Sequence, residues 1–431
     1  MVSTLLVQAQ ATPQESGLRD EKWYLPLGLL SIATYLGSAG FSDVQVLDAD
    51  HDSLEKITSR ILQERPDIVG VNFNVFNTTL LDDVVAVAHD IGSFTVVGGQ
   101  AATPISDRLL SNQNIDSVVV YDGEEALLEL TTRFSRGNRA LEGVPNLAYK
   151  TSERIILPSR KDLRLPNLAD LPEIDRRING FDFDRYLKAW NRSDIDPDRI
   201  ATSMYTQKGC AKTCTFCARI DKKLRQRSPE KVYDELKNLG RDGVNYVYVV
   251  DDTFAADPQY LGELATLYAT RGALPIQLWA FVDARDVDDV SVDLMKRLNV
   301  EKVLVGIETG NEELRKKNGK MYSNNSLLRA MGRLGGAGIK VEDSYVLGLA
   351  GETDATLHDT FRLAQKLTSV CQTEGTAYNI MTPLIGSPDW NRLMHIPDLK
   401  KKYGKGYKFD IAELRNDYFT HFCNFDQGVL S

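Results

Sequence analysis

Apolar and polar positions alternate in two ways along the first 150 residues. Short apolar runs, typical of buried strands, are separated by segments with apolar residues at three- and four-residue spacing, which is typical of helices packed on one face. This order predicts an α/β domain, a doubly wound, Rossmann-like parallel sheet with helices on both faces. The predicted strands cover residues 4–9, 44–47, 68–72, 95–97 and 117–120, and the predicted helices cover 27–36, 54–63, 80–89 and 124–134.

The pattern breaks after residue 150 and resumes at residue 201. Residues 151–200 hold prolines among charges with little periodicity, which indicates a linker. Ser228 and Pro229 then form a helix start, as N-cap and first helical residue. We expect domains at 1–150 and 201–390, joined by the linker 151–200, and an aromatic-rich C-terminal extension, 391–431, that folds back onto the second domain. The predicted strands of the second domain cover 201–205, 246–250, 276–282, 302–307, 344–348 and 377–381.

Composition narrows the class of protein. The 431 residues are 42% hydrophobic and 26% charged, as in ordinary globular proteins. The net charge of -9 argues against nucleic acid as a partner, because phosphate binding needs clustered Lys and Arg. The apolar start is too short for a signal peptide, and no stretch reaches membrane-spanning length. These features predict a cytoplasmic protein that does not bind membranes.

Three of the five cysteines lie close together, at Cys210, Cys214 and Cys217. Iron–sulfur clusters take cysteine thiolates as ligands, and three ligands on a 4Fe-4S cluster leave one iron open for another molecule. A zinc site is the alternative, but zinc sites normally add a second Cys or His pair, and no histidine lies near this loop. The spacing therefore favours an iron–sulfur cluster in a reducing compartment.

The cysteine motif, with Phe216 as its aromatic residue, resembles the signature of the radical S-adenosylmethionine (SAM) superfamily. Four further segments resemble the family in the same order, at 249–254, 305–310, 345–353 and 379–388. The resemblance implies a partial (β/α)6 barrel of the TIM type whose cysteines hold a 4Fe-4S cluster with SAM on the open iron. It also implies a 5'-deoxyadenosyl radical that takes hydrogen from a small-molecule substrate, and a reductase of the flavodoxin or ferredoxin type as electron donor.

The N-terminal half resembles the cobalamin-binding domain that precedes many radical SAM barrels, in residues 26–30, 96–103 and 122–125. The resemblance implies cobalamin at the strand exits, beside Gly70, Gly98 and Gly99. The chain departs from the family pattern at Gln100 and Ala101, and it lacks the Asp-x-His-x-x-Gly motif that supplies a cobalt ligand. A domain that has kept the sheet and lost the corrinoid is therefore the alternative.

The remaining site residues are expected at the carboxyl ends of the barrel strands, where loops gather in such folds. We expect Arg285 to pair with Glu308 around the SAM ribose or carboxylate, with a purely structural salt bridge as the alternative. Asp251 and Asp252 follow the second strand of this domain, and helix capping is the alternative role for this acidic pair. The residues expected to bind SAM are Phe216, Asp251, Asp252, Arg285, Glu308, Gly348, Leu349 and Met381.

No catalytic residue is assigned, and the candidates are Asp252, Cys371 and Cys423. A lone cysteine is usually a small buried hydrophobe, which is the alternative for the two thiols. The architecture predicts cobalamin-dependent C-methylation of a small molecule from natural-product or cofactor biosynthesis. The alternative is a radical rearrangement, epimerisation, dehydration or oxidation without methyl transfer. A non-catalytic iron–sulfur carrier would leave the segments beyond the cysteines unexplained.

Overall fold

A computed structural model describes residues 2–9, 24–73, 75, 78–159, 161–191 and 198–425. The chain divides into two compact units. The first comprises Met1–Ala189 and Lys400–Phe409, and the second comprises Trp190–Leu399 and Asp410–Ser431.

The first unit contains a seven-stranded sheet in the order β2-β1-β3-β4-β5-β6-β7. The first five strands are parallel, so that Leu6 lies between Val46 and Gly70. Leu5, Leu6 and Val7 are all buried because helices cover both faces, which explains the continuous apolar runs. The strands are β1 (Thr4–Gln8), β2 (Val44–Asp48), β3 (Ile68–Asn72), β4 (Phe94–Gly98), β5 (Ser117–Val119), β6 (Leu147–Lys150) and β7 (Ile155–Ile156).

The last two strands make this sheet mixed rather than wholly parallel. β6 runs antiparallel to β5, and β7 runs antiparallel to β6. A turn joins them, in which Thr151 N donates to Arg154 O over 2.8 Å. The apolar pattern does not predict these strands, because runs of two to four residues are too short to show a period. β7 and a helix at Phe183–Asn191 lie in the stretch expected to be a linker.

Helices cover the parallel strands, and α1 packs against α5 while α2 packs against α3. The helix after β4 has only four residues, whereas its neighbours have 11 to 13. The helices of this unit are α1 (Leu27–Ser38), α2 (Leu54–Glu64), α3 (Thr78–Asp90), α4 (Ser106–Leu109), α5 (Glu124–Ser135) and α6 (Phe183–Asn191).

Residues 400–409 pack on this first unit, although the whole extension was expected to fold onto the barrel. Tyr407 is buried, and its hydroxyl donates to Asp82 Oδ1 over 2.5 Å and accepts from Asn112 Nδ2 over 2.8 Å. Arg108 Nη1 donates to Tyr403 O over 3.0 Å. These contacts lie beside the short helix α4. The C-terminal segment therefore covers a surface of the first unit that a longer helix would otherwise cover.

The second unit contains six parallel strands in the order β15-β14-β13-β12-β11-β8, as expected for a partial barrel. A separate two-stranded hairpin joins β9 and β10. The strands are β8 (Ala201–Met204), β9 (Gln207–Lys208), β10 (Arg225–Gln226), β11 (Tyr246–Val249), β12 (Gln277–Val282), β13 (Val300–Glu308), β14 (Lys340–Leu347) and β15 (Thr373–Ile380).

The helix that follows the hairpin begins as predicted, with Pro229 as its first residue and the Ser228 side chain accepting from Lys231 N. Among the described residues, no helix combines the length and apolar character needed to cross a lipid bilayer. The remaining helices are α7 (Pro229–Arg241), α8 (Pro258–Arg271), α9 (Asp289–Arg297), α10 (Glu312–Lys317), α11 (Asn324–Gly336), α12 (Asp354–Leu367), α13 (Pro388–Leu393), α14 (Pro397–Tyr403) and α15 (Ile411–Phe422).

Replacing Tyr407 with Phe tests whether the C-terminal segment stabilises the first unit. The variant loses both hydroxyl hydrogen bonds and leaves Asp82 and Asn112 with one partner fewer, so we expect a loss of about 1–3 kcal/mol in the free energy of unfolding. Urea unfolding followed by circular dichroism measures the loss. Tyr149→Phe is the control, because the Tyr149 ring is half-buried on β6 and its hydroxyl bonds to no described residue. Equal stability of the two variants would contradict this role.

Candidate functional site

The parallel strands of the second unit bring most of the expected residues to one edge of the sheet. The cysteine loop lies between β9 and β10. Strands β11 to β15 each end at or just before at least one of the other expected residues. Because the strands are parallel, their carboxyl ends meet at the same edge. The residues placed there are Asp251 and Asp252 after β11, Asp283 and Arg285 after β12, Glu308 in β13, Gly348 and Leu349 after β14, and Met381 after β15.

The first part of the cysteine loop is held by backbone contacts. Gly209 has a φ of 93°, and a Cβ added there would lie 2.1 Å from Lys223 O, so only glycine fits. Gly209 N donates to Asp252 Oδ2 over 2.8 Å, and Cys210 N donates to Asp221 O over 3.2 Å. Asp252 therefore positions the start of the loop that carries the cysteines, and its side chain is exposed. Phe216 is half-buried within the same loop.

The second part of the loop is held by residues that the sequence analysis missed. Thr215 N donates to Asn318 O over 3.1 Å, and Thr215 Oγ1 lies 2.9 Å from Asp389 Oδ2. Asp389 is fully buried, and its own N–H donates to Thr215 O over 3.0 Å. A Cβ on Gly319 would lie 2.1 Å from Thr213 O. The cysteine loop is therefore packed against the turn after α10 and the start of α13.

The expected pair of Arg285 with Glu308 does not form. Arg285 makes a bidentate pair with Asp283, at 2.8 and 2.7 Å, because the two residues lie on one short turn after β12. Glu308 pairs instead with Lys320, whose Nζ lies 2.7 Å from Glu308 Oε1 and 3.6 Å from Asp283 Oδ2. Lys320 thus joins the ends of β12 and β13. It follows a helix as part of an Asn-Gly-Lys turn, and no apolar pattern distinguishes it in the sequence.

This network of Asp283, Arg285, Glu308 and Lys320 is charged, and its members are buried except for Arg285, which is half-buried. Burial opposes charge on Lys320, but Glu308 and Asp283 hold the pKa of Lys320 above its ordinary value. Burial would likewise raise the pKa of Asp283, but Arg285 and Lys320 hold that pKa well below its ordinary value. The carboxylate of Asp283 and the ammonium therefore both stay ionised at neutral pH. Charges of both signs at a strand edge suit the amino and carboxylate groups of an amino-acid ligand.

The backbone at the end of β13 is shaped around this network. Glu308 has a φ of 70°, a left-handed conformation that is uncommon for a residue with a side chain. A Cβ on Gly306 would lie 2.5 Å from Glu308 Oε1 and 2.9 Å from Lys320 Nζ. Lys320 Nζ also donates to Gly306 O over 2.5 Å. Gly306 therefore provides the space in which the Glu308–Lys320 pair forms.

Asp251 is a second buried carboxylate at this edge. It accepts from Thr206 N over 2.7 Å and from Gln207 N over 3.1 Å, which ties the end of β11 to the segment between β8 and β9. Burial raises the pKa of Asp251 to about 7, although the hydrogen bonds from Thr206 and Gln207 favour the charged form. Asp251 accepts these hydrogen bonds from the protein's own backbone and from the hydroxyl of Thr206.

The turn after β14 is covered by the C-terminal helix. Gly348 has a φ of 93°, and a Cβ there would lie 2.4 Å from Phe419 Cε1. The ring of Phe419 in α15 therefore fills the space that a side chain at Gly348 would need. The thiol of Cys423 donates to Gly348 O over 3.3 Å, and burial raises the pKa of Cys423 to about 12. Leu349 is fully buried in this turn.

Met381 lies at this edge of the sheet, whereas Cys371 does not. Met381 follows β15 directly, is buried, and donates its backbone N–H to Leu347 O over 2.9 Å. Cys371 precedes β15 and is buried beside Gly335, at the amino ends of the strands. The opposite edge therefore holds Cys371, and the structure does not bring it to the cysteine loop.

The thiols suit an iron–sulfur cluster by their chemistry. Burial raises the pKa of the Cys214 and Cys217 thiols, and for Cys214 the nearby Lys320 opposes that rise. Metal binding would replace the proton and remove this cost. Over the described parts of the chain, no three His, Cys, Asp or Glu side chains converge where they could bind one metal ion. Cluster cysteines bind different irons and need not converge on one point.

The carboxyl edge of the first sheet is lined by polar side chains. Gly99, at the exit of β4, has a φ of 106°, and a Cβ there would lie 2.1 Å from Asn72 Oδ1. Asn72 Nδ2 in turn donates to Gln8 Oε1 over 2.8 Å, which joins the ends of β3 and β1. Strands β1 and β3 lie on either side of the point where the strand order reverses. Open α/β sheets bind ligands at this point. This polar edge suits the amide side chains of a corrinoid.

The other two glycines of this sheet serve different purposes. A Cβ on Gly70 would lie 2.7 Å from Leu6 Cδ2, so its absence serves packing within the strands. Gly98 has no atom closer than 3.9 Å to an added Cβ. Their contact with cobalamin remains a prediction.

Comparison with known families decides the identity of both units. The radical SAM superfamily model matches residues 204–364, and the B12 binding domain model matches residues 22–131. The second unit contains a radical SAM domain. Its first unit is a B12-binding domain, so the α/β architecture predicted from the sequence is confirmed. The two matches imply a 4Fe-4S cluster, SAM and cobalamin as the cofactors of this radical SAM protein.

Relatives of this radical SAM chain include an anaerobic magnesium-protoporphyrin IX monomethyl ester cyclase from Cereibacter sphaeroides. It is 26% identical over 345 residues, which cover 76% of this chain and 54% of the cyclase. The chain thus spans about half the length of that relative. An uncharacterized methyltransferase from Pyrococcus horikoshii is 26% identical over 377 residues, which cover 85% of this chain and 77% of the relative.

Solved structures support the same fold. The radical S-adenosylmethionine methyltransferase TsrM from Kitasatospora setae, with cobalamin and a 4Fe-4S cluster bound, superposes with a TM-score of 0.74 at 20% identity. The superposition covers 92% of this chain and 76% of TsrM.

Replacing Lys320 with Met tests the buried network. The variant leaves Glu308 without its buried cation, and removing one partner of a buried pair costs about 3–5 kcal/mol. We expect this loss in the free energy of unfolding, measured with urea. Lys316→Met is the matched control, because Lys316 pairs with Glu313 at the surface and such pairs contribute about 0–1 kcal/mol. A loss no larger than that of the control would contradict the network.

The raised pKa of Asp251 predicts a pH dependence of stability. An Asp in the unfolded chain has a pKa of about 3.9. Between about pH 4 and 7, the folded protein therefore keeps a proton that the unfolded chain loses. This contribution to stability therefore falls as pH rises through that window, by about 4 kcal/mol at most. Asp251→Asn removes it. Urea unfolding from pH 4.5 to 8 should show wild type losing stability relative to the variant, and a constant difference would refute the raised pKa.

Proposed function

We propose that this protein is a cobalamin-dependent radical SAM enzyme that methylates a carbon atom of a small molecule. The position of the cysteine loop beside the charged network of Asp283, Arg285, Glu308 and Lys320 supports this proposal. When bound, the cluster and SAM supply a 5'-deoxyadenosyl radical, and cobalamin supplies a carrier for the methyl group. Cys210, Cys214 and Cys217 would hold the cluster.

The chain's own residues would position SAM and exclude water. Glu308 and Asp283 offer carboxylate oxygens to the amino group of SAM, and Arg285 offers a guanidinium to its carboxylate. Because Lys320 neutralises much of the acidic charge, an incoming zwitterion meets an edge with charges of both signs rather than a strong field of one sign. We assign contacts with the rest of SAM to Phe216, Asp251, Gly348, Leu349 and Met381, through their common place at this edge.

Asp252 and Cys423 are then positioning residues rather than catalytic ones in this proposal. Asp252 holds Gly209 N, and Cys423 donates to the backbone of the Gly348 turn. Cys371 has no role at the reacting edge. At the first unit, Gly99 and Asn72 would contact the corrinoid, with Gly70 and Gly98 behind them in the strands.

The relatives support methyl transfer as the outcome. The relative from Pyrococcus horikoshii is called a methyltransferase, and TsrM is a methyltransferase with both cofactors bound. A second candidate reaction is a radical ring closure or other rearrangement without methyl transfer. The Cereibacter sphaeroides cyclase favours that candidate, because a comparable share of this chain aligns with it.

Product analysis separates the two reactions. We expect protein reconstituted anaerobically with iron, sulfide and hydroxocobalamin, then reduced and given SAM, to form both 5'-deoxyadenosine and S-adenosylhomocysteine. The second product reports methyl transfer away from SAM. Cys214→Ser should abolish 5'-deoxyadenosine, and Cys371→Ser is the matched control because that thiol lies at the opposite edge. Formation of 5'-deoxyadenosine alone would refute methylation and favour the second candidate, and unchanged cleavage in Cys214→Ser would refute the radical SAM assignment of the loop.

A further inference from the structure

The cysteine loop carries a positive charge that contrasts with the rest of the protein. Residues 208–225 contain six Lys and Arg residues and one acidic residue, although the whole chain has a net charge of -9. A run of positive charge in an acidic protein attracts acidic partners locally and leaves the remaining surface repulsive to them. The six are Lys208, Lys212, Arg219, Lys222, Lys223 and Arg225.

Two of these six cations are neutralised within the loop's own surroundings. Lys212 pairs with Asp286, and Arg225 Nε lies 2.6 Å from Asp221 Oδ2. Lys222 and Lys223, in contrast, are exposed, and neither forms an ion pair with any residue of the described chain. Their charges therefore face solvent. We call these two residues the basic rim.

The basic rim lies against the first cysteine of the loop. Asp221 O, one residue before the rim, accepts from Cys210 N over 3.2 Å. Lys223 O is so close to Gly209 that an added Cβ there would lie 2.1 Å away. The two lysines are thus held by backbone contacts beside Cys210, and a protein bound on them would lie next to whatever that thiol holds.

We propose that Lys222 and Lys223 are the docking surface for an acidic one-electron carrier protein, of the flavodoxin or ferredoxin class. The inference rests on the proposed function, which requires an electron from outside this chain. The carrier is oxidised by one electron and the centre held by Cys210, Cys214 and Cys217 is reduced by one, with no bond made or broken at the surface. Without the rim, a carrier of net negative charge would be repelled by this acidic chain.

The test compares two reductants on the reconstituted holoenzyme. Reduction is followed anaerobically in a stopped-flow instrument by the bleaching of cluster absorbance, with either a reduced acidic flavodoxin or dithionite as the electron source. In the Lys222→Glu/Lys223→Glu variant, we expect reduction by limiting flavodoxin to slow at least tenfold at low ionic strength. Added salt should narrow the difference, because screening weakens attraction in wild type and repulsion in the variant. Reduction by dithionite should match wild type, which also shows that the variant is folded and loaded.

A second variant controls for total charge. Lys400→Glu/Lys401→Glu makes the same change at two adjacent exposed lysines of α14, far along the chain from the cysteine loop. This control should keep at least half of the wild-type rate with flavodoxin. A wild-type rate in the Lys222→Glu/Lys223→Glu variant would overturn the proposal, as would equal slowing in both double variants, which would indicate a general charge effect.

The proposed function can fail separately. If dithionite-reduced enzyme forms no 5'-deoxyadenosine from SAM while flavodoxin still reduces the centre through the basic rim, the docking surface stands and the radical reaction does not.

Discussion

The structure of the site depends on a single buried ammonium group. Lys320 lies between carboxylates that end two neighbouring strands, Asp283 after β12 and Glu308 in β13. Without Lys320, Asp283 would keep its pair with Arg285, but the buried carboxylate of Glu308 would lose its cation, which disfavours its charged form. Lys320 therefore allows both carboxylates to stay ionised in the folded protein. The turn that carries Lys320 also contacts the cysteine loop through Asn318 and Gly319.

This arrangement links the proposed SAM site to the stability of the fold. The backbone conformation of Glu308 and the missing side chain of Gly306 both serve the ion pair. Such strain is usual where a site must hold charges in a set geometry before a ligand arrives. A preorganised charged edge would spend less of the binding energy of SAM on rearranging the protein.

The C-terminal extension shows how a chain can contribute to two units at once. Residues 400–409 support the first unit through Tyr407, while α15 covers the turn after β14 through Phe419. The aromatic content of this extension is evident in the sequence, but composition does not tell which surface its aromatic residues will cover.

The sequence predicted well what depends on local pattern. The parallel strands, the helix start at Ser228 and the placement of the cysteine loop follow from apolar periodicity, capping and chain order. It predicted poorly what depends on pairing across loops. Arg285 binds Asp283 because they share one turn, and Lys320 reaches Glu308 across a helix and a turn, which no spacing rule indicates.

In the proposed function, a cluster held by three cysteines would leave one iron for the amino and carboxylate groups of SAM, beside the network built on Lys320. Electron–nuclear double resonance on the reduced cluster, with SAM labelled with nitrogen-15 and oxygen-17 in its methionine part, measures this contact directly. We expect hyperfine coupling from both labels. A reconstituted cluster whose spectrum is unchanged by labelled SAM, or protein that contains zinc in place of iron, would contradict it.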